Sequence, residues 1–174
     1  MEIIRQWING EYYEGNPAGE VDIENPATGE VVRKAQLTSQ EDLDYAVKVA
    51  REAQKTWRNI SLAKRVDIMF KMRQLLLDNQ DKMAKLIVEE HGKTYTDAIG
   101  EIQRGRETID FACGINANLK GEMSFNISTR VDIHTMRQPV GVVGGICPFN
   151  FPAMVPMWMH PLALATGNAF ILKP

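Results

Sequence analysis

Cysteine is scarce in the sequence, which has only Cys113 and Cys147 among its 174 residues. Their spacing matches neither a CxxC redox pair nor a metal knuckle, so a disulfide scaffold is excluded and both are expected to be free thiols. Histidine is equally scarce, since the 3 histidines fall in different segments without a short ligand spacing, and we expect no metal site. A window of about 18 uninterrupted apolar residues is also absent, which excludes a membrane-spanning helix.

Neither sign of charge dominates, because 20 lysines and arginines stand against 22 aspartates and glutamates. The basic residues are interleaved with acids and form no stripe for a phosphate backbone, so nucleic acid is not an expected partner. The opening residues, Met1–Gln6, do not resemble a signal peptide, and we expect a cytoplasmic protein. With 44% hydrophobic residues, the composition is that of a globular protein of one domain or slightly more.

Residues 1–37 show the pattern of two β-hairpins. Asn9 and Gly10 tolerate positive φ angles and lie between two short strand-like segments, which favours a two-residue hairpin loop. The second hairpin is predicted around residues 25–29, where a proline presets one turn angle and a glycine relaxes another.

Residues 38–122 are predicted to be helical. Thr38 and Glu41 have the spacing of a capping box, in which each side chain satisfies one free backbone N–H at the start of a helix. Apolar residues then recur at intervals of three and four, and this periodicity predicts four helices, the last from about Thr94 to Leu119. The first of these helices is expected to bury a face formed by Leu43, Ala46, Val47, Ala50, Ala53 and Trp57.

Residues 123–138 alternate apolar and polar side chains, as a β-strand with one solvated face does. A strand of this kind can pair with another chain. We therefore predict an oligomerisation-type strand segment here.

Residues 139–174 predict a parallel strand–helix–strand unit. Val140–Ile146 is a continuous apolar, glycine-rich run, which is typical of a strand buried on both faces. A helical stretch follows from about Ala153 to Thr166, and the second strand is predicted at Ala169–Lys173. The predicted fold class is therefore α/β with a parallel sheet.

The carboxyl edge of this sheet is the predicted ligand site. The turn Cys147–Asn150 and Lys173 lie at the ends of neighbouring strands, where open α/β sheets bind ligands. The helix that starts near Pro152 points its positive end at the same crevice, which favours an anionic group such as a phosphate. The dinucleotide motif GxGxxG is missing, however. The residues alone leave open a nucleotide site and a plain strand–helix–strand unit with a surface lysine.

Several short motifs occur in the order and spacing of one known family. They are Asn25-Pro-Ala-Thr-Gly-Glu, Glu90-His-Gly-Lys-Thr, Gln138-Pro-Val-Gly-Val-Val-Gly, Pro148-Phe-Asn-Phe-Pro, Gly167-Asn168 and Ile171-Leu-Lys-Pro. Together they resemble the N-terminal part of the NAD(P)-dependent aldehyde dehydrogenase superfamily over nearly the whole chain. The resemblance implies an aldehyde-dehydrogenase-like fold, in which hairpins and the helical part of the cofactor-binding domain lead into the first parallel unit of the NAD-binding sheet.

The resemblance also assigns roles to residues near the predicted ligand site. Asn150 matches the family's oxyanion-hole asparagine, whose amide N–H donates to the substrate oxygen; the alternative is a structural residue at the start of the helix. Lys173 matches the lysine that holds the adenosine ribose. The segment along the cofactor corresponds to Ile146, Cys147, Pro148 and Phe149, with core packing as the alternative for the first and last of them. The implied cofactor is NAD, with NADP as the second choice.

Cys147 lies close to the matched asparagine in a family that depends on a thiol. Its position corresponds to the cofactor wall and not to the nucleophile. A helix N-terminus nearby would lower the pKa of its thiol, so unusual reactivity is a second hypothesis for this residue.

Within the superfamily, the segment Phe149–Pro161 most resembles the CoA-acylating methylmalonate-semialdehyde dehydrogenase branch. This branch implies a small aldehyde that carries a carboxylate, with CoA as co-substrate. A carboxylate requires a cation, and Arg104 lies on the helix that passes near the substrate entrance in this family. We expect Arg104 to bind the carboxylate, with Arg106 as the second choice. The alternative is a solvated arginine paired with Glu101 or Glu107.

In the family, the nucleophilic cysteine and the general-base glutamate lie beyond the position that matches Pro174. The resemblance therefore implies that this polypeptide is an N-terminal fragment of an enzyme and is inactive by itself. In such a fragment the apolar helix from about Ala153 to Thr166 and the open edge of the sheet are expected to lack their usual cover. Self-association would bury both surfaces, so we expect a homo-oligomer. Two other readings are kept: an aldehyde dehydrogenase of another substrate class, and a non-catalytic helical interaction module.

Overall fold

A computed structural model describes all residues from Met1 to Pro174. The chain folds into nine strands and five α-helices. The strands are β1 Ile3–Ile4, β2 Gln6–Ile8, β3 Glu11–Tyr13, β4 Gly19–Asn25, β5 Glu30–Leu37, β6 Met123–Ser128, β7 Val131–His134, β8 Val142–Ile146 and β9 Ala169–Lys173. The helices are α1 Gln40–Trp57, α2 Leu62–Asp78, α3 Gln80–His91, α4 Tyr95–Cys113 and α5 Met154–Ala165.

Both predicted N-terminal hairpins are confirmed. Strands β2 and β3 pair antiparallel, and the loop residues Asn9 and Gly10 take φ angles of 60° and 83°. Strands β4 and β5 also pair antiparallel, and the Asn25 carbonyl closes their turn by accepting from the Gly29 N–H at 2.8 Å. The short strand β1 adds to β5 in parallel, so the second hairpin belongs to a three-stranded sheet.

Helix α1 begins one residue later than the predicted capping box places it. The cap is Ser39, whose hydroxyl accepts from the Asp42 N–H at 3.2 Å, so the predicted pairing of Thr38 with Glu41 is wrong. Asp42 is fully buried and accepts hydrogen bonds from the Gln6 side chain at 2.7 Å and the Asn16 N–H at 3.0 Å. These donors lie in the N-terminal segment. The helix therefore starts where its buried carboxylate can bind that segment.

Replacing Asp42 with asparagine is expected to remove a pH-dependent part of the stability. The N–H of Asn16, followed by the Gln6 and Ser39 side chains, lowers the pKa of Asp42 below its ordinary value. A carboxyl whose pKa is lower in the folded state stabilises the fold above its unfolded pKa of about 3.9, and this contribution is lost as the pH falls through the folded pKa. The Asp42→Asn variant should therefore unfold at lower urea than the wild type at pH 7, with a smaller difference at pH 3.

The matched control is Asp67→Asn, since Asp67 is exposed on helix α2. Urea midpoints at both pH values make the comparison. If the urea midpoints of wild type and Asp42→Asn differ by the same amount at pH 7 and pH 3, the pH-dependent stabilisation assigned to Asp42 is wrong.

Four helices lie in the middle of the chain, as predicted, and three of them, α2, α3 and α4, pack with α5 around two apolar clusters. Helix α4 ends at Cys113, before the predicted end at Leu119, because Gly114 caps it and residues 115–117 form a 3₁₀ turn. The first cluster contains Leu76, Ala84, Ile87, Ala98, Ile102, Ile109 and Met157. The second contains Val66, Met69, Ala112, Ile115 and Ala165.

The apolar face of α1 is less buried than its periodicity predicts. Leu43 is 41% exposed, and this face lines an open groove of about 1440 Å³ that also includes the N-terminal strands and the β8–β9 pair. Polar contacts hold the helix instead. Gln54 donates to the Gly167 carbonyl at 3.2 Å, and the Trp57 indole donates to the Leu164 carbonyl at 2.9 Å.

The predicted single strand of residues 123–138 is wrong in its topology. The segment forms an antiparallel hairpin of β6 and β7, with a tight turn in which Arg130 has a φ of 64°. All residues of both strands are exposed, so no face of the hairpin is buried within this chain. The apolar residues before and after the turn all stand at odd-numbered positions, from Met123 to Ile133, which is why the sequence reads as one strand.

The predicted parallel strand–helix–strand unit is confirmed. Strands β8 and β9 pair in parallel, with Ile146 opposite Lys173, and α5 connects them. The expectation that this helix lacks cover is wrong, because α5 packs along α4. The contact is close at Gly105, where an added Cβ would collide with the Met157 side chain. No helix in the chain combines the length and the apolar character that crossing a membrane requires.

Candidate active site

The carboxyl ends of β8 and β9 bring several of the predicted site residues together. The Cys147 N–H donates to the Lys173 carbonyl at 3.1 Å, which extends the pairing of the two strands by one step. The Lys173 ammonium lies 4.8 Å from the centroid of the Phe149 ring. Phe149 is 77% exposed and Ile146 is 80% exposed, so core packing does not account for either side chain in this chain. Pro148 is also exposed beside them.

Cys147 differs from its neighbours because it is buried, at 5% exposure. Burial raises the pKa of the Cys147 thiol, and the nearby Lys173 opposes this only in part. This direction is opposite to the lowered pKa that the hypothesis of unusual reactivity requires. A thiol with a raised pKa is less nucleophilic at neutral pH, so Cys147 has the character of a wall residue.

Asn150 lies in the turn between β8 and α5 and is exposed. It takes part in a hydrogen bond only through its backbone carbonyl, which accepts from the Lys93 ammonium at 3.0 Å. Its carboxamide N–H groups are therefore free to donate to a ligand. Asn150 directly follows Phe149, whose ring lies beside the Lys173 ammonium at the ends of the two strands.

The N-terminus of α5 is already occupied by a carboxylate of this chain. The Oε1 atom of Glu101, on α4, accepts from the Ala153 N–H at 2.7 Å and the Met154 N–H at 3.1 Å. These are two of the N–H groups that a helix start leaves without a partner. The prediction that this helix end attracts an anionic ligand is therefore corrected, because Glu101 supplies the negative charge.

Lys93 and Glu101 are the residues near the site that the sequence analysis misses. Their side chains form an ion pair of 2.6 Å, with Glu101 fully buried and Lys93 12% exposed. A signal for Glu101 is present in the sequence: it follows Ala98 by three residues, on the side of α4 that is otherwise apolar. An acidic residue in an apolar stripe requires a partner.

Arg104 lies one helical turn beyond Glu101 on α4. Its guanidinium carbon is 5.7 Å from the centroid of the Phe151 ring, which is one residue after Asn150. Arg104 is exposed, and its Nε donates to the Gly100 carbonyl of its own helix at 3.3 Å. The alternative of a solvated arginine is therefore right about exposure but wrong about the pairing, because Glu101 binds Lys93 and no carboxylate of the chain pairs with Arg104. The second choice, Arg106, does pair with a carboxylate, that of Asp110 at 3.5 Å. Arg104 is therefore a cation without a carboxylate partner, next to Phe151, the residue that follows Asn150.

A cluster of metal ligands is not part of this arrangement. No group of three or more His, Cys, Asp or Glu side chains is placed to hold a metal ion. The charged groups at the site edge that can bind a ligand are cations, namely Lys173 and Arg104.

Comparison with known proteins gives one consistent result. The model of the aldehyde dehydrogenase family matches residues 12–174. A malonate-semialdehyde dehydrogenase of Pseudomonas aeruginosa is 48% identical over 174 residues, which are 100% of this chain and 35% of that protein. Malonate-semialdehyde dehydrogenase 2 of Oceanobacillus iheyensis is 46% identical over 171 residues, which are 98% of this chain and 35% of that protein.

Solved structures of related dehydrogenases also match the whole chain. A crystal structure of methylmalonate-semialdehyde dehydrogenase from Oceanimonas doudoroffii matches with a TM-score of 0.95 and 45% identity, over 100% of this chain and 36% of that one. A Sinorhizobium meliloti protein assigned as a methylmalonate-semialdehyde dehydrogenase, in complex with NAD, matches with a TM-score of 0.96 and 43% identity, over 100% and 35%. The chain thus spans about a third of the length of the relatives it matches, and the predicted fold class is confirmed.

Proposed function

The chain belongs to the aldehyde dehydrogenase family, and on that premise we propose that it forms the N-terminal part of an enzyme that oxidises methylmalonate or malonate semialdehyde with NAD. The product is an acyl-CoA, with CoA as the second substrate. The identities of 43–48% to relatives with these two names support the substrate class. One observation carries the proposal: Asn150, whose carboxamide has no partner in the chain, is flanked by Phe149, whose ring lies 4.8 Å from the Lys173 ammonium, and by Phe151, whose ring lies 5.7 Å from the Arg104 guanidinium carbon.

Asn150 is the residue that acts on the reacting atoms. When a nucleophile attacks the aldehyde carbon, the carbonyl oxygen gains negative charge. A donor fixed toward that charge stabilises the transition state more than the ground state. The exposed carboxamide of Asn150 has no competing partner within the chain, and we assign it this donor role.

The cofactor lies along the strand ends in this proposal. When bound, NAD accepts the hydride that leaves the aldehyde carbon. Ile146, Pro148 and Phe149 offer exposed surface against which its flat groups can lie, with Cys147 buried behind them. Lys173 carries three N–H donors, and we assign them to the hydroxyl groups of a ribose. NADP remains the second choice.

Arg104 binds the carboxylate that distinguishes a semialdehyde from a simple aldehyde. Replacing it with leucine is expected to raise the KM for methylmalonate semialdehyde by about 10²-fold, since a charge-assisted pair with a carboxylate is lost. The KM for propanal, which has no carboxylate, should change by less than about threefold. Steady-state kinetics with both substrates makes the comparison, in an enzyme that contains residues 1–174.

The matched control is Arg106→Leu, because this arginine lies on the same helix and pairs with Asp110. It should leave the ratio of the two KM values unchanged. Equal effects of Arg104→Leu on both aldehydes would remove Arg104 from the substrate site.

We propose that the enzyme is a cytoplasmic homo-oligomer in which the β6–β7 hairpin contacts a second copy. The hairpin exposes large apolar side chains on its strands, including Phe125 at 79% and Ile127 at 58%. Exposed apolar surface of this kind marks interaction sites. Sedimentation of the wild type and of a Phe125→Ser variant tests this role, and identical sedimentation behaviour would contradict it.

The function itself is tested with a chimera in which residues 1–174 replace the matching part of the Pseudomonas aeruginosa relative. The chimera should reduce NAD when methylmalonate semialdehyde and CoA are present. The 174-residue chain alone should not, because Cys147, the one cysteine at the site edge, is buried and its pKa is raised, so it lacks the character of a nucleophile. A chimera that folds and binds NAD but oxidises neither semialdehyde would contradict the proposal.

A further inference from the structure

We infer that Lys93 and Glu101 are positioning residues, which together clamp the turn that carries Asn150 and thereby aim its carboxamide. This inference rests on the proposed function, in which that carboxamide donates to the aldehyde oxygen. Neither residue touches the reacting atoms in this account. They act through the backbone of residues 150–154.

Glu101 holds the C-terminal end of the turn, where helix α5 begins. Its Oε1 atom accepts from two consecutive backbone N–H groups, those of Ala153 and Met154, and its Oε2 atom accepts from Lys93. Both oxygens are thus used, and the side chain is fully buried. A carboxylate fixed at three donors leaves the start of helix α5 little freedom to move relative to α4.

Lys93 holds the N-terminal end of the turn, at Asn150. Its ammonium donates to the Asn150 carbonyl at 3.0 Å and lies 4.7 Å from the centroid of the Phe151 ring. The residue before it, Gly92, ends helix α3 with a φ of 75° and fits closely against the turn at Ala27. A side chain at Gly92 would collide there, so the backbone that delivers Lys93 is itself fixed.

The two contacts bracket the residue that has to be placed accurately. The carbonyl bound by Lys93 belongs to Asn150 itself, and the N–H groups bound by Glu101 follow three and four residues later. A misplacement of about 1 Å in a reacting group can cost about 10²-fold in rate. Because Lys93 and Glu101 neutralise each other, the clamp fixes the turn without adding net charge to the crevice.

The test is a double-mutant cycle in the chimera, with Lys93→Met and Asn150→Ala. Lys93→Met alone should lower kcat by about 10- to 100-fold, with the Kd for NAD within twofold of the wild type. In the Asn150→Ala background the same Lys93→Met change should cost less than about threefold, because its effect passes through the missing amide. Lys85→Met, which removes an exposed lysine of α3 with its own carboxylate partner, is the control and should leave kcat unchanged.

Two further variants separate positioning from folding and from charge. Lys93→Arg keeps a cationic donor and should recover most of the kcat that Lys93→Met loses. The neutral pair Lys93→Met with Glu101→Gln keeps an acceptor for the α5 N–H groups but removes the donor to Asn150, so it should remain as slow as Lys93→Met.

These variants distinguish a failure of the clamp from a failure of the proposed function. If Asn150→Ala leaves kcat unchanged, the donor role of Asn150 is wrong. If Asn150→Ala is slow but Lys93→Met costs the same factor in both backgrounds, Asn150 acts as proposed and the positioning role of Lys93 is wrong. A neutral pair with wild-type kcat would likewise overturn the clamp.

Discussion

Replacing Asn150 with alanine in the chimera should lower kcat/KM for methylmalonate semialdehyde by about 10²–10³-fold. This is the usual cost of removing one donor to a developing oxyanion. Because the interaction strengthens only in the transition state, kcat and kcat/KM should fall by similar factors. Stopped-flow measurement of NADH formation at saturating NAD gives both quantities, and calorimetry should find the Kd for NAD unchanged within about twofold.

Two variants serve as controls for this result. Asn118→Ala removes an exposed asparagine at the end of the 3₁₀ turn and should have no effect on kcat. Asn150→Asp keeps the size of the side chain but replaces the donor with a carboxylate, which repels the oxyanion, so it should be at least as slow as Asn150→Ala. A fully active Asn150→Asp enzyme would contradict the donor role.

Replacing Glu101 with alanine should destabilise the 174-residue chain by about 3 to 5 kcal/mol, which is typical when one partner of a buried ion pair is removed. The change leaves Lys93, at 12% exposure, without its carboxylate. It also leaves the Ala153 and Met154 N–H groups without an acceptor. Urea unfolding followed by circular dichroism measures the loss.

Glu107→Ala is the matched control, because Glu107 is an exposed acid of the same helix. It should change the free energy of unfolding by less than about 0.5 kcal/mol. The loss of stability in Glu101→Gln should lie between those of Glu101→Ala and Glu107→Ala, since the amide oxygen can still accept from the α5 N–H groups. Equal stability of the Glu101→Ala and Glu107→Ala chains would show that the ion pair does not hold α5 in place.

Features that depend on local sequence are the ones that could be predicted. A dipeptide such as Asn9-Gly10 determines its own turn, because positive φ angles suit few other residues. The strand–helix–strand unit from β8 to β9 is similarly local, and the parallel orientation of its strands follows from a crossover long enough to contain a helix. The placement of the site at the carboxyl edge of the sheet follows from that topology.

Features that depend on contacts between distant segments could not be predicted. The start of α1 is decided by a carboxylate, Asp42, that binds donors from the N-terminal segment. The α5 N-terminus looks like an anion site in the sequence, yet Glu101 reaches it from another helix. The position of Arg104 beside Phe151 also depends on a contact between distant segments. Periodicity alone places Arg104 only on an exposed face of its helix.

The central claim is that the Asn150 carboxamide donates to the aldehyde oxygen, and a crystal structure of the chimera with NAD and a bound aldehyde analogue tests it most directly. The account predicts that the Asn150 Nδ2 atom lies about 2.7–3.1 Å from the analogue's oxygen, with the Asn150 carbonyl still bound to Lys93. An analogue whose oxygen is held by other donors, with the Asn150 amide turned away from it, would contradict the account.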